Sequence, residues 1–199
     1  MMERKTLNLG GIVDYDPNFL SQEVADGLFV ALLKAVNWEQ HYYTNYKTGA
    51  KLPVPRHTAW YADSPKMAYS YSGITEKVQP WLPSLLDLRS QIENITGATY
   101  NSVLLNLYRN GRDSVGMHAD NEKELGIDAN IASVSLGVTR LFQMRQIDGA
   151  DYEQYLLTHG SLLIMSGTTQ HHFKHSVPKD PNVTEPRINL TFRKFLNDS

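Results

Sequence analysis

His118-Ala119-Asp120 is the first place in this 199-residue chain where residue types and spacing suggest chemistry. Residues i and i+2 of an extended segment point the same way, so an imidazole and a carboxylate there can meet one metal ion. A second histidine from elsewhere would complete a facial triad. That arrangement leaves metal positions open for a co-substrate and oxygen, as in non-haem Fe(II) oxygenases. A His-x-Asp by itself recurs in many proteins, and its plainer reading is a surface turn. The remaining histidines are His41, His57, His159, His171, His172 and His175. The last three lie in a strand-like segment and are the candidates for a distal ligand.

The second chemical feature is the run Arg187-Ile188-Asn189-Leu190-Thr191-Phe192-Arg193. As a strand it places Arg187, Asn189, Thr191 and Arg193 on one face and Ile188, Leu190 and Phe192 on the other. The polar face is either solvated or lines a pocket for a dicarboxylate, which the planar fork of arginine can grip with two hydrogen bonds. The two arginines are about 20 Å apart along a flat strand. A small acid could touch both only if the strand curves.

These residues need elements to hold them. Residues 21–38 carry Val24, Leu28, Ala31, Leu32 and Ala35 at helical spacing; residues 83–96 carry Leu85, Leu88, Ile92 and Ile95. Pro83 suits a first turn and Gly97 a C-terminal stop. Beyond Gly97 the texture is that of strands: 101–108, 131–145, 155–165, 171–177 and 187–195, with turn signals between them. Successive strands with no intervening helix predict a mainly β fold, an antiparallel sandwich or barrel with flanking helices. The expected organisation is one domain over residues 1–199, an N-terminal helical and aromatic portion laid on a C-terminal β core.

Composition sets bounds. The chain is 41% hydrophobic and 20% charged, ordinary for a globular protein that buries its own core. It has no cysteine, which excludes disulfides, thiolate zinc sites and a cysteine nucleophile. A reducing compartment is expected: the cytoplasm, or the nucleus if the source is eukaryotic. No apolar stretch approaches the roughly 20 residues needed to span a bilayer, and no apolar signal core follows Arg4 and Lys5. Taken as a total, the net charge of -2 argues against a broadly basic nucleic-acid surface.

Taken together and in order, Asn106-Leu107-Tyr108, Gly111, His118-Ala119-Asp120, His175-Ser176-Val177-Pro178 and the Arg187–Arg193 run resemble the AlkB family. These are Fe(II)- and 2-oxoglutarate-dependent dioxygenases that repair alkylated nucleobases. The resemblance covers residues 55–195. It implies a double-stranded β-helix, a jelly-roll form, in agreement with the strand pattern, with the core over residues 98–196. It implies His118, Asp120 and His175 as Fe(II) ligands, with His171 and His172 as neighbours. It also implies that Arg187, helped by Tyr108, holds the distal carboxylate of 2-oxoglutarate, and that Arg193, Asn106 and Asn189 act at the keto-acid end. Oxygen is the other co-substrate. The implied reaction removes a methyl group from a base nitrogen as formaldehyde and yields succinate.

A base inside a duplex cannot reach buried iron, so such an enzyme flips it out or acts on single strands. Residues 40–75 hold Tyr42, Tyr43, Tyr46, Trp60, Tyr61, Tyr69 and Tyr71, interleaved with Lys47, Lys51, Arg56 and Lys66 against the single acid Asp63. That is a local +3, leaving -5 on the remainder of the chain. Any one of these rings could be core. As a group they resemble the family's nucleotide-recognition lid, which implies Arg56, Trp60, Tyr61, Tyr69, Tyr71 and Glu122 as substrate contacts. By that match Tyr71 stacks on the base and Glu122 faces its exocyclic amino group. Duplex-specialised relatives carry an apolar wedge before Pro55-Arg56. Here the stretch reads Tyr46-Lys47-Thr48-Gly49-Ala50-Lys51, so single-stranded DNA or RNA is the expected partner, with duplex possible. A monomer is expected. Two other readings keep parts of this scheme: an AlkB-like dioxygenase acting on a protein or small molecule, and a non-catalytic jelly-roll module.

Overall fold

Strand formers in this chain come in short runs broken by glycine, proline and asparagine. The computed structural model describes residues 1–67, 69–71 and 73–196, and of Tyr71 only the backbone. A hairpin of β1 (Glu3–Thr6) and β2 (Gly11–Asp16) precedes α1 (Gln22–Ala35). A second hairpin, β3 (Tyr42–Thr44) and β4 (Lys51–Pro53), precedes β5 (His57–Ala62). A third, β6 (Tyr69–Tyr71) and β7 (Ile74–Glu76), leads through β8 (Val78–Gln79) into α2 (Pro83–Thr96). The remainder is β9 (Ser102–Tyr108), β10 (Val115–His118), β11 (Ile131–Gly137), β12 (Arg140–Gln146), β13 (Tyr152–Leu157), β14 (Ser161–Gly167), the single turn α3 (Thr169–His172), β15 (Phe173–Val177) and β16 (Arg187–Arg193).

Eight strands form one sheet in the order β1-β2-β14-β11-β16-β9-β5-β8, antiparallel except for β5 with β8. Four form a second, β10-β15-β12-β13. Apolar residues of both sheets meet between them: Val13, Ile131, Leu163 and Met165 from the first, Phe142, Met144, Phe173 and Val177 from the second. This is a double-stranded β-helix. The outer face of the large sheet is covered by the helices. Leu32 of α1 and Leu85, Leu88 and Ile92 of α2 pack on Leu105, Val134, Ile188, Leu190 and Phe192. No helix among the described residues is long and apolar enough to cross a membrane.

The structure corrects five local expectations. Residues 131–145 are two strands, because Gly137 turns the chain at φ +90° and a Cβ there would stand 2.4 Å from the Pro186 carbonyl. Residues 155–165 break likewise at Gly160 (φ +77°). Residues 171–172 belong to α3 and not to a strand. The Thr169 hydroxyl donates to the Ser166 carbonyl, and such a local bond competes with the ladder. The buried face of α1 runs through Ala25 and Leu32, with Val36 buried just past its C-terminal end, and Val24 is 53% exposed. A Cβ at Gly160 would lie 3.3 Å from that of Ala25, so the closest approach of helix to turn demands a small residue there. In α2 the last-turn Ile95 is also exposed.

The corrected helix face has a measurable consequence. Leu32→Ala should cost about 2–5 kcal/mol in urea unfolding. Val24→Ala should stay within about 0.5 kcal/mol, as for an exposed substitution. Similar losses at both positions would mean the face is misread.

Candidate active site

β10 ends on His118, and its register with β15 sets His118 opposite His175. Asp120 lies two residues further on. The nearest ligand atoms of His118, Asp120 and His175 all fall within 4.8 Å of one another. The Nδ1–H of His118 donates to the Gly116 carbonyl at 2.9 Å, which leaves Nε2 as a lone-pair donor. Burial, with the His118 charge adding, pushes the His175 imidazole down to about 3, so it stands neutral. Burial alone would push the Asp120 carboxyl up, but the charges of Arg193 and the two histidines outweigh it and hold it well below the usual carboxylate range. Two imidazoles and one ionised carboxylate brought together in this way are the donor set an open-site Fe(II) ion takes. Phe142 stacks on His175 at 5.2 Å between ring centroids and fixes its plane.

The arginine face of β16 is buried along its whole length, not solvated. Pairing with β9 sets Arg187 opposite Tyr108 and Asn189 opposite Asn106. Pairing with β11 brings Ser133 and Ser135 alongside. Arg187 donates from Nη2 to Ser135 Oγ at 2.8 Å and lies 5.1 Å from the centroid of Tyr108. Its Nε and Nη1 are buried with no partner among the described residues. Burial draws its pKa down to about 10. Arg193 donates from Nη2 to Asp120 Oδ2 at 2.9 Å, and its Nε is likewise buried and unpartnered. Burial opposes its charge, yet Asp120 holds its pKa above the ordinary value. Unpaired guanidinium N–H groups in a dry wall call for an anion with more than one oxygen, and a dicarboxylate fits. Asn106, Tyr108, Asn189 and the triad line the same cavity of about 1000 Å³ as Arg187 and Arg193.

Two hairpins form the mouth of this cavity. β3–β4 contributes Tyr42, Tyr43 and Thr44, with Tyr46 at its exposed tip; β6–β7 contributes Tyr69 and Ile74. The Tyr69 hydroxyl donates to Glu122 Oε1 at 3.3 Å, while Oε2 is buried without a partner among the described residues. The Tyr71 side chain lies outside the described residues. Three substrate-contact expectations change. Trp60 and Tyr61 are each 1% exposed and absent from the cavity lining. Trp60 packs with Tyr69 and Phe195, and Tyr61 joins the large core beside Trp81, because both lie on a strand covered on its two faces. Arg56 reaches the cavity, but its Nε donates to Asn106 Oδ1 at 2.7 Å, so it braces the cavity wall.

Several residues here had not been singled out. Gln170 Oε1 accepts from the Asp120 backbone N–H at 2.9 Å and so fixes the ligand loop from α3. Buried Arg140 donates to the carbonyls of Asn110, Asp113 and Pro178 and lies 5.7 Å from the Tyr108 centroid. Asn110 precedes Gly111, where a Cβ would fall 1.6 Å from the Asp180 carbonyl oxygen. The alternation of Ser133 and Ser135 with Ala132, Val134 and Leu136 did carry a signal for a polar inner face. Nothing local to Gln170 or Arg140 did.

Comparisons with known proteins agree with this geometry. Residues 13–193 match the model of the 2OG-Fe(II) oxygenase superfamily. The alpha-ketoglutarate-dependent dioxygenase alkB homolog 3 of Bos taurus is 45% identical over 192 residues, 92% of this chain and 65% of that protein. The DNA oxidative demethylase ALKBH2 of Homo sapiens is 39% identical over 181 residues, 86% and 69% of the two chains. The chain thus spans about two thirds of the length of these relatives. The solved structure of OsALKBH1 superposes with a TM-score of 0.62 at 19% identity, over 96% of this chain and all of that one, and shares its fold. The chain belongs to the 2OG-Fe(II) oxygenase superfamily and, within it, to the AlkB-type dioxygenases.

Proposed function

We propose that this chain is an Fe(II)- and 2-oxoglutarate-dependent demethylase of N-alkylated bases, of the 1-methyladenine and 3-methylcytosine type. The observation that carries the proposal is a single cavity. It joins the His118–Asp120–His175 cluster, the guanidinium N–H groups of Arg187 and Arg193 that lack a partner among the described residues, and an aromatic mouth that includes Arg56. The printed activity of ALKBH2, DNA oxidative demethylation, supports the same reading. We further propose one catalytic domain over residues 1–199, with residues 40–75 as lid and 98–196 as core, acting as a monomer in the cytoplasm or nucleus.

When bound, Fe(II), 2-oxoglutarate and oxygen supply oxidation of the methyl carbon, with succinate, carbon dioxide and formaldehyde as products. The chain supplies position and charge. His118, Asp120 and His175 would hold the metal. Arg187, over the Tyr108 ring, takes the distal carboxylate of the keto acid. Arg193, with Asn106 and Asn189, serves the other end and keeps Asp120 ionised. Arg56 braces Asn106. Glu122, held by Tyr69, presents its second oxygen to the amino group of adenine or cytosine. Exposed Tyr42, Tyr43 and Tyr46, with Lys47 and Lys51, give flanking nucleotides rings to stack on and charge to neutralise their phosphates. With a polar tyrosine in place of an apolar wedge, single-stranded DNA or RNA is the preferred substrate.

Oligonucleotides carrying 1-methyladenine or 3-methylcytosine, offered as DNA or RNA and as single strand or matched duplex, test this directly. Formaldehyde and succinate should appear together, and single strands should react at least as fast as duplex. A clear duplex preference overturns the strand reading, and no formaldehyde from any of them overturns the substrate class. Asp120→Ala should abolish turnover while circular dichroism keeps the β signature; unchanged succinate production refutes the ligand assignment. Arg187→Lys should raise KM for 2-oxoglutarate roughly 10- to 100-fold, the worth of hydrogen bonds between charged groups. KM for the oligonucleotide should hardly move, and equal effects on both would mean Arg187 is misassigned.

A further inference from the structure

Glu76 ends β7 with only 1% of its side chain exposed, outside the cavity lining. A carboxylate so placed is costly unless it is well bonded. The Thr58 hydroxyl donates to both of its oxygens, at 2.9 and 3.2 Å, and His41 Nε2 faces Oε2 at 3.3 Å. These partners come from different segments. Thr58 lies in β5 of the large sheet, where it pairs with Asn106 of β9. His41 closes the root of the β3–β4 hairpin: its carbonyl accepts from the Val54 N–H at 2.9 Å and from Gln40 Nε2 at 3.0 Å. The backbones of Glu39 and Thr58 also exchange two hydrogen bonds. One carboxylate therefore joins the roots of both mouth hairpins to the sheet that carries the co-substrate wall.

We infer that Glu76 is a positioning residue that locks the two mouth hairpins to each other and to β5, and thereby sets how tightly the nucleotide is held. The inference rests on the reading of these hairpins as a nucleic-acid lid. Glu76 pairs in register with Tyr69, whose hydroxyl holds Glu122. A shift at Glu76 therefore moves the group that faces the base edge. The same shift reaches Tyr42 and Tyr43 through His41. Its effect on β16 is weaker: the arginines there are held by β9, β11 and Asp120, and Tyr69 meets Arg193 through its ring at 5.7 Å. The lock thus separates nucleotide binding from co-substrate binding.

The test compares Glu76→Ala, His41→Phe and Glu76→Gln in the full chain loaded with Fe(II) and 2-oxoglutarate. For the first two, KM for a methylated single strand should rise roughly 3- to 30-fold, the range for residues that couple sites without touching ligand. KM for 2-oxoglutarate and succinate formation without oligonucleotide should stay at the wild-type level. Glu76→Gln, which keeps an acceptor oxygen for Thr58, should restore most of the loss. Equal increases in both KM values, or none in either, overturn the proposal. Amide hydrogen exchange gives a readout that needs no substrate. Glu76→Ala should speed exchange at residues 42–44 and 51–53, in the hairpin that does not contain it, with β9 and β16 unchanged. Unchanged exchange there overturns the lock. A wild-type enzyme inert toward every methylated strand would refute the lid reading, while exchange would still decide the lock. Should Glu76→Ala not fold, His41→Phe carries the same expectation, read at residues 69–71 and 74–76.

Discussion

The ion pair between Arg193 and Asp120 is the interaction on which the rest of the site depends. Both groups are almost completely buried, and their atoms are 2.9 Å apart. Moving either charge alone out of water would cost several kcal/mol. Together they leave an ionised carboxylate in a dry place, beside the imidazoles of His118 and His175. The pair also ties the end of β16 to the loop after β10, two segments 73 residues apart in sequence. Gln170 takes the backbone N–H of the same aspartate from a third direction. The carboxylate is thus oriented by groups that do not belong to the triad, which is how supporting residues set ligand geometry in metal sites.

β16 satisfies two opposite demands at once. Its even residues Ile188, Leu190 and Phe192 are buried against the helices, and its odd residues carry the polar wall of the cavity. A slip of one residue in its pairing would drive two arginines into the apolar core. Register is therefore strongly specified, and it brings Asn106, Tyr108, Ser133 and Ser135 to the same wall. The helices are part of this economy. They cover the outer face of the large sheet so that its inner face can remain polar.

Charge is distributed to the same end. The chain as a whole is slightly acidic, yet residues 40–75, which include the aromatic hairpins, hold a single acid and carry a local +3. Local attraction near the mouth and repulsion elsewhere favour a ligand that engages through that mouth over adhesion along the whole surface. The His118–Asp120–His175 group, the guanidinium N–H groups of Arg187 and Arg193 and the Glu122 oxygen that lack partners among the described residues belong to residues lining the same cavity.

Alternation and spacing in the sequence were enough to give the β class, both helices, the two faces of the Arg187–Arg193 run and the common direction of His118 and Asp120. These are local properties: period 2, period 3.6 and the pointing of i and i+2. Distal pairings were beyond such reasoning. Periodicity left His171, His172 and His175 equivalent; the β10–β15 register sets His175 against His118, while His171 meets Asp128 at the surface. Local pattern offered Trp60, Tyr61 and Tyr69 alike as lid rings, and only the stacking of layers turned the first two away from the cavity that Tyr69 lines. Residues such as Gln170, Arg140 and Glu76 gain their meaning from chain segments that approach only on folding. The sequence by itself determined which faces are apolar and which residues could do chemistry. The tertiary structure decided which of them meet, because a buried charge persists only where partners from distant segments surround it.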